Sequence, residues 1–234
     1  MIVRRKKSKV KIISWIILAI AWVGLIVYSV KYFIDQGNKT PTVNNPTNSL
    51  VAEGDNTRVD ETPITEEKKV EWTVPATHPR YISVPELGIN KARIVPLNVV
   101  KSTNQLDAPV SIYDAGWYVG SAKPENNGTG ALLLDGHNGG PNFDGIFKKL
   151  GKLKNGGRII IERGDGQIFT YEVKDSREML VSDINDPKNP YGMSTMLNSH
   201  EQGKQGLNVI TCVGQWNERE QTYNSRVMLR AVQV

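Results

Sequence analysis

Apolar positions are arranged in three different ways along the 234 residues. From Ile12 to Val30 the chain reads IISWIILAIAWVGLIVYSV, an almost wholly apolar run with no charged residue, long enough to cross a hydrocarbon core of about 30 Å as one helix. We expect a transmembrane anchor over residues 12–33. From 34 to 75 apolar residues become sparse among Asn, Thr, Pro, Glu and Lys, as in TPTVNNPTNS and TRVDETPITEEKK, too few to offset the entropy of ordering. That stretch is expected to be a flexible extracytoplasmic linker.

From 76 to 234 the apolar residues return in short pieces with strand spacing. Tyr81–Val84 and Ala92–Val95 are β-rich and followed by Pro85 and Pro96. Ala131–Leu134 is a continuous apolar run opening from Gly128 and Gly130, as a buried strand would be. Arg158–Glu162 and Gln167–Val173 flank Gly164-Asp165-Gly166, the signature of a hairpin. Leu207–Val213 and Arg226–Val234 supply two more strands, with a polar loop between them. One helix is predicted, where Phe143, Ile146, Phe147 and Leu150 recur at helical spacing before Gly151. The pattern is that of one mostly β domain, a sandwich or a closed barrel.

Charge refines the topology. Arg4, Arg5, Lys6, Lys7, Lys9 and Lys11 precede the apolar run with no acid among them, so residues 1–11 form a basic tail expected on the cytoplasmic side. A cleaved signal peptide would have a shorter apolar core and a small-residue cleavage site, and Lys31, Tyr32 and Phe33 follow instead. The expected location is the cell membrane, single-pass, with the C-terminal domain outside. The net charge of +5 resides in that tail: taking its six basic residues from the 29 leaves 23 against 24 acidic ones. The outer part is near neutral, so the high pI points to anionic membrane lipid and not to nucleic acid.

The domain has a single cysteine, Cys212, which cannot form an internal disulfide and is inert, paired with another molecule, or reactive. A reactive thiol requires an imidazole or a cation nearby. Of the three histidines, His78 and His200 lie in polar surroundings expected to be solvated, whereas His137 follows the apolar run 131–134 in Asp135-Gly136-His137, where a strand ends. Arg226 opens the expected last strand, beside the one ending at Cys212. A guanidinium there is either an ordinary surface group or a donor to a developing oxyanion.

Together these segments resemble the sortases, membrane-anchored cysteine transpeptidases of Gram-positive cell surfaces. The family signature Thr-Leu-x-Thr-Cys corresponds to Asn208-Val209-Ile210-Thr211-Cys212, with Thr211 and Cys212 matching and Asn208 and Val209 departing. Gly136-His137 resembles the family's histidine after an apolar strand, and Arg226 its arginine shortly after the cysteine. Pro79–Ile89, Phe147–Leu150 and Lys154–Gly157 are also similar, so the resemblance covers nearly all of a catalytic domain at 76–234. It implies a closed eight-stranded β-barrel with one or two short helices. It also implies that Cys212 attacks the Thr-Gly bond of an LPxTG-like sorting signal to give a thioacyl intermediate, with His137 as acid and base and Arg226 on the oxyanion. No metal or cofactor is implied. The implied partners are surface proteins bearing the signal and a peptidoglycan precursor or other amine acceptor.

Thr211, Trp216 and Tyr191 are the expected substrate contacts, the last with Met193 and Met196 in a loop from Ser182 to Gly206. A pilin-polymerising member would show an Asp-Pro-aromatic lid and a second hydrophobic segment. Asp107-Ala108-Pro109 is only an echo of the first, and the chain runs to Val234 without the second, so protein anchoring is the expectation. An L,D-transpeptidase-like cell-wall enzyme would place His and Gly before the cysteine and Arg two residues after it. Here Ile210-Thr211 and Gly214 stand there. A non-catalytic membrane-anchored β-barrel binding module, with Cys212 merely a small buried hydrophobe, is the other alternative.

Overall fold

The computed structural model describes residues 59–100, 105–220 and 222–234. The predicted basic tail, the anchor and the linker up to residue 58 lie outside the described residues. Among the described residues no helix is long and apolar enough to cross a membrane.

The described residues form ten strands: β1 (Pro79–Val84), β2 (Ile89–Leu97), β3 (Val99–Val100), β4 (Gln105–Leu106), β5 (Ala115–Tyr118), β6 (Ala131–Asp135), β7 (Arg158–Arg163), β8 (Ile168–Leu180), β9 (Gly206–Asn217) and β10 (Thr222–Gln233). Eight of them close into a barrel in the order β1-β2-β5-β6-β9-β10-β8-β7, while β3 and β4 form a separate two-stranded ribbon. β2 with β5 and β6 with β9 pair in parallel, and the other barrel pairs are antiparallel.

Alternation along the strands separates two apolar clusters. Leu207, Val209, Leu229, Val227, Leu132 and Leu134 point into the barrel with Phe147, Phe169 and Tyr171. Each such side chain, fully withdrawn from water, contributes about 2 kcal/mol. The opposite parity, carried by Leu133, Ile210 and Met228, builds a second cluster on the outer face with Leu106, Ile184, Met193 and Met196. The long connection from β8 to β9, including the short helix α2 (Val181–Ile184), forms part of this outer cluster.

The structure departs from the sequence expectation at four places. Residues 143–150 do not form an α-helix: a series of turns ends in a 3-10 segment at Leu150–Lys152, and Phe143 is exposed. The amides of Ile146 and Phe147 are drawn to the carbonyls of Ile112 and His137, which removes them from any helical ladder. Residues 59–75, expected as tether, carry helix α1 (Glu66–Val70), capped by Thr65, and Arg80 donates to the carbonyls of Trp72 and Val70. The expected polar loop after Cys212 is largely a hairpin, because β9 runs on to Asn217 and β10 begins at Thr222. β5 had no apolar signature strong enough to mark it. Its Gly116 is required, since a Cβ there would stand 2.0 Å from Leu97 Cδ1.

Candidate active site

Cys212 and Arg226 are direct partners across the antiparallel β9–β10 ladder. Partners directly opposite project from the same face of a sheet, so the two side chains leave the ladder as neighbours, on the outer parity shared with Ile210 and Met228. A bulge sets this pairing. The register shifts between Tyr223 and Ser225, Gly214 takes φ +88°, and Asn224 Oδ1 accepts from the Gln215 amide at 2.8 Å. Arg226 is only 1% exposed. Its Nη1 donates to the carbonyls of Tyr223 (2.8 Å) and Ser225 (3.0 Å), and Nη2 donates to Thr222 Oγ1 (2.8 Å), so the hairpin holds the guanidinium in one orientation. Contrary to expectation, Arg226 does not open its strand but follows an arm that serves to fix it.

His137 comes from the neighbouring strand. In the parallel β6–β9 ladder Asp135 is the partner of Ile210, and two residues further along each chain stand His137 and Cys212. A side chain continues the pairing where the ladder stops: Thr211 Oγ1 donates to the Gly136 carbonyl at 2.7 Å. The residue before the cysteine is thereby tied to the residue before the histidine. Thr211, expected at the substrate, is 1% exposed and spends its hydroxyl proton on this link.

The imidazole is oriented by backbone. His137 Nε2 lies 2.7 Å from the Pro109 carbonyl. A carbonyl can only accept, so Nε2 carries the hydrogen in this contact. His137 is 3% exposed and Cys212 5%. The three groups sit in a largely water-excluded place, where charge interactions are stronger than in bulk solvent.

Asn208, one of the two departures from the signature noted in the sequence, has a structural use. Its Nδ2 donates to the carbonyls of Met196 (2.8 Å) and Asn198 (3.0 Å), and Arg230 Nη2 donates to the same Asn198 carbonyl (3.1 Å). The β8–β9 connection is thus fastened to the outer face two residues before Ile210. Met193 and Met196 of that connection are buried. Tyr191 is 43% exposed under the Arg177 guanidinium, 3.6 Å from the ring centroid, and Trp216 is 42% exposed and packs edge-on against Tyr223. Of the other histidines, His200 is exposed and His78 lies tilted against Trp117, with ring centroids 4.9 Å apart, where burial pushes its pKa down.

Sequence reasoning missed Pro109 and Gly136, which act through backbone carbonyls that any residue type would offer. It also missed Glu61, whose carboxylate meets the loop after His137. Among the described residues no three His, Cys, Asp or Glu side chains gather to hold a metal ion. A cleft of about 370 Å³ lies beside the histidine loop, lined by Ile64, Lys69, Arg93, Tyr113 and Asp144 among others, but none of Cys212, His137 and Arg226 lines it.

A thiol beside a guanidinium, with an imidazole at the same end of the adjacent strand, has the components of acyl transfer: nucleophile, oxyanion donor and proton carrier. Residues 82–234 match the family model described as Sortase domain. Among solved structures the chain is similar to the lid mutant of sortase A from Corynebacterium diphtheriae, at 23% identity over 68% of this chain and 70% of that one, with a TM-score of 0.47. It is also similar to a pilus-related sortase C of Group B Streptococcus (20% identity, 75% of each chain, TM-score 0.47). Sortase C-1 from Actinomyces oris is a further neighbour (16% identity, 75% of this chain and 83% of that one, TM-score 0.46). No curated protein matches the chain.

Proposed function

The chain belongs to the sortase family, and we propose that it cleaves an LPxTG-like sorting signal between Thr and Gly and transfers the protein to an amine of the cell wall. The observation that carries this reading is the direct pairing of Cys212 with Arg226, with His137 joined to the same strand end through Thr211 and Gly136. A cation beside a thiol favours the thiolate, the form that attacks. The Cys212 sulfur adds to the Thr carbonyl carbon and the carbonyl electrons move to oxygen, where Arg226 offsets the charge. As the C–N bond breaks, His137 delivers a proton to the leaving glycine amine, which leaves a thioester and a neutral imidazole. An incoming amine then attacks the thioester, His137 takes its proton, and the new amide forms as the Cys212 thiolate departs.

Partners in this reading are secreted proteins with the signal near their C-terminus and a peptidoglycan-type amine. The 12–33 segment would hold the enzyme at the outer face of the membrane where both are found. Tyr191 and Trp216, both exposed, are the side chains proposed to meet the signal. Anchoring is favoured over pilin assembly because the Asp107-Ala108-Pro109 segment lacks the aromatic residue of a pilin-type lid.

The test is incubation of the full chain in detergent with a panel of pentapeptide signals and two amine acceptors, a glycine peptide and a lysine side chain, with the acyl adduct trapped by mass spectrometry. An adduct on Cys212 and transfer to the glycine amine are expected. His137→Ala should lower transfer by about 10²–10⁴-fold and Arg226→Ala by about 10²–10³-fold. No adduct with any signal would sink the transpeptidase reading. Slow, pH-independent alkylation of Cys212 would favour the binding module instead.

A further inference from the structure

Residues 59–62 precede the matched domain, yet they grip both sides of the histidine. Asp60 forms a bridge with Ser111: its amide donates to the Val110 carbonyl at 2.7 Å, and the Ile112 amide donates to the Asp60 carbonyl at 3.1 Å. That pins the segment whose Pro109 carbonyl holds His137 Nε2. The next residue reaches the other side. Glu61 Oε1 accepts from the amides of Asn142 (2.8 Å) and Phe143 (3.0 Å), and Oε2 accepts from Asn142 Nδ2 (2.7 Å). Gly140 makes room for the carboxylate, since a Cβ there would lie 2.4 Å from Oε1.

The loop that Glu61 holds is closed on the histidine. Gly140 donates to the Phe143 carbonyl, Gly145 to Asn138 and Phe147 to His137 itself, so displacement at 142–143 is passed to the His137 backbone. Asp60 and Glu61 thus fix the two partners of the His137–Pro109 hydrogen bond against each other. Because that bond fixes the ring's orientation and which nitrogen carries hydrogen, the pair also helps to set how the imidazole is presented.

We propose that Asp60-Glu61 is part of the catalytic apparatus, with Glu61 a positioning residue that holds His137 in its working orientation. The inference rests on the reading of His137 as the acid and base. The carboxylate suits this role because its hydrogen bonds, led by that from the Asn142 side chain, hold its pKa below the ordinary glutamate range, so it stays an acceptor as the medium turns mildly acidic.

The experiment measures kcat and KM of signal cleavage against pH for the full chain and for Glu61→Ala, Glu61→Gln, Asn142→Ala and His137→Ala, with thermal melts of each. Glu61→Ala should lower kcat by about ten- to a hundredfold, leave KM unchanged and displace the limb of the pH profile that belongs to the imidazole. Glu61→Gln keeps one oxygen for the two backbone amides and should restore most of the rate. Asn142→Ala loses one bond of three and should fall between. Wild-type kcat and profile in Glu61→Ala, faster turnover, a change in KM alone, or a rate loss matched by the unfolded fraction would each overturn the inference. If His137→Ala is inactive while Glu61→Ala is normal, only the positioning role fails. If His137→Ala turns over normally, the reading beneath it fails as well.

Discussion

Replacing Thr211 with Val keeps the shape of the side chain and removes one hydroxyl, which tests the link between the strand ends that carry His137 and Cys212. Thr211 is 1% exposed and its hydroxyl donates to the Gly136 carbonyl at 2.7 Å. Valine would leave that buried carbonyl without this donor, at a cost of about 1–3 kcal/mol. For a domain of this size each kcal/mol corresponds to about 2–4 °C in Tm, so a fall of about 4–8 °C is expected at the middle of that range. Loss of the tie should also let His137 and Cys212 drift apart, lowering kcat by about tenfold while KM for the signal peptide stays constant. Thr211→Ser, which retains the donor, should recover both properties. Differential scanning calorimetry and steady-state cleavage read the two effects. A Thr211→Val variant with unchanged Tm and kcat but raised KM would refute the argument and place the hydroxyl on the substrate.

Two further predictions concern charge. Arg93 Nε and Nη2 grip both oxygens of Asp114 at 2.9 and 2.7 Å, and the carboxylate is almost fully buried, so Arg93→Ala should lose about 3 kcal/mol in urea unfolding. Burial holds the Asp114 pKa above its ordinary value against the pull of Arg93, so its ionisation opposes folding as pH rises through the carboxylate range. The Arg93→Ala loss should therefore be larger at pH 7 than at pH 4, and an equal loss at both would contradict this account. Asp165, bonded mainly by Arg163, is lowered to about 2 from 3.8, so its stabilisation is present above 3.8 and fades as pH falls toward 2. Asp165→Asn should flatten the melting profile across that window, and an unchanged acid slope would remove Asp165 from the account.

The core strands were legible because their apolar residues are continuous or alternate. β6, β7 and the inner halves of β9 and β10 carry this signal themselves. What escaped the sequence depends on distant partners. The spacing of Phe143, Ile146, Phe147 and Leu150 fits a helix, but the Ile112 and His137 carbonyls compete for its amides. Gln215, Asn217, Thr222 and Asn224 read as loop, although a bulge and an Asn side chain hold them as a hairpin. The histidine, cysteine and arginine could be singled out by residue type, whereas the groups that orient them are a proline carbonyl, a glycine carbonyl and a glutamate 81 positions from its partner Asn142. Backbone acceptors leave no compositional trace. A polar segment such as 59–62 likewise looks the same in sequence whether it is solvated or docked.

The parallel pairing of β6 with β9 has a consequence for the order in which the molecule matures. Its strands are far apart in the chain, and the bond that completes the pairing joins residues 75 positions apart. Contacts of such separation are costly in loop entropy and form late. During synthesis the thiol is without its imidazole, since the two meet only as the barrel closes. The candidate site is therefore assembled only at the end of folding, so that a nascent chain carries Cys212 without the histidine proposed to serve it.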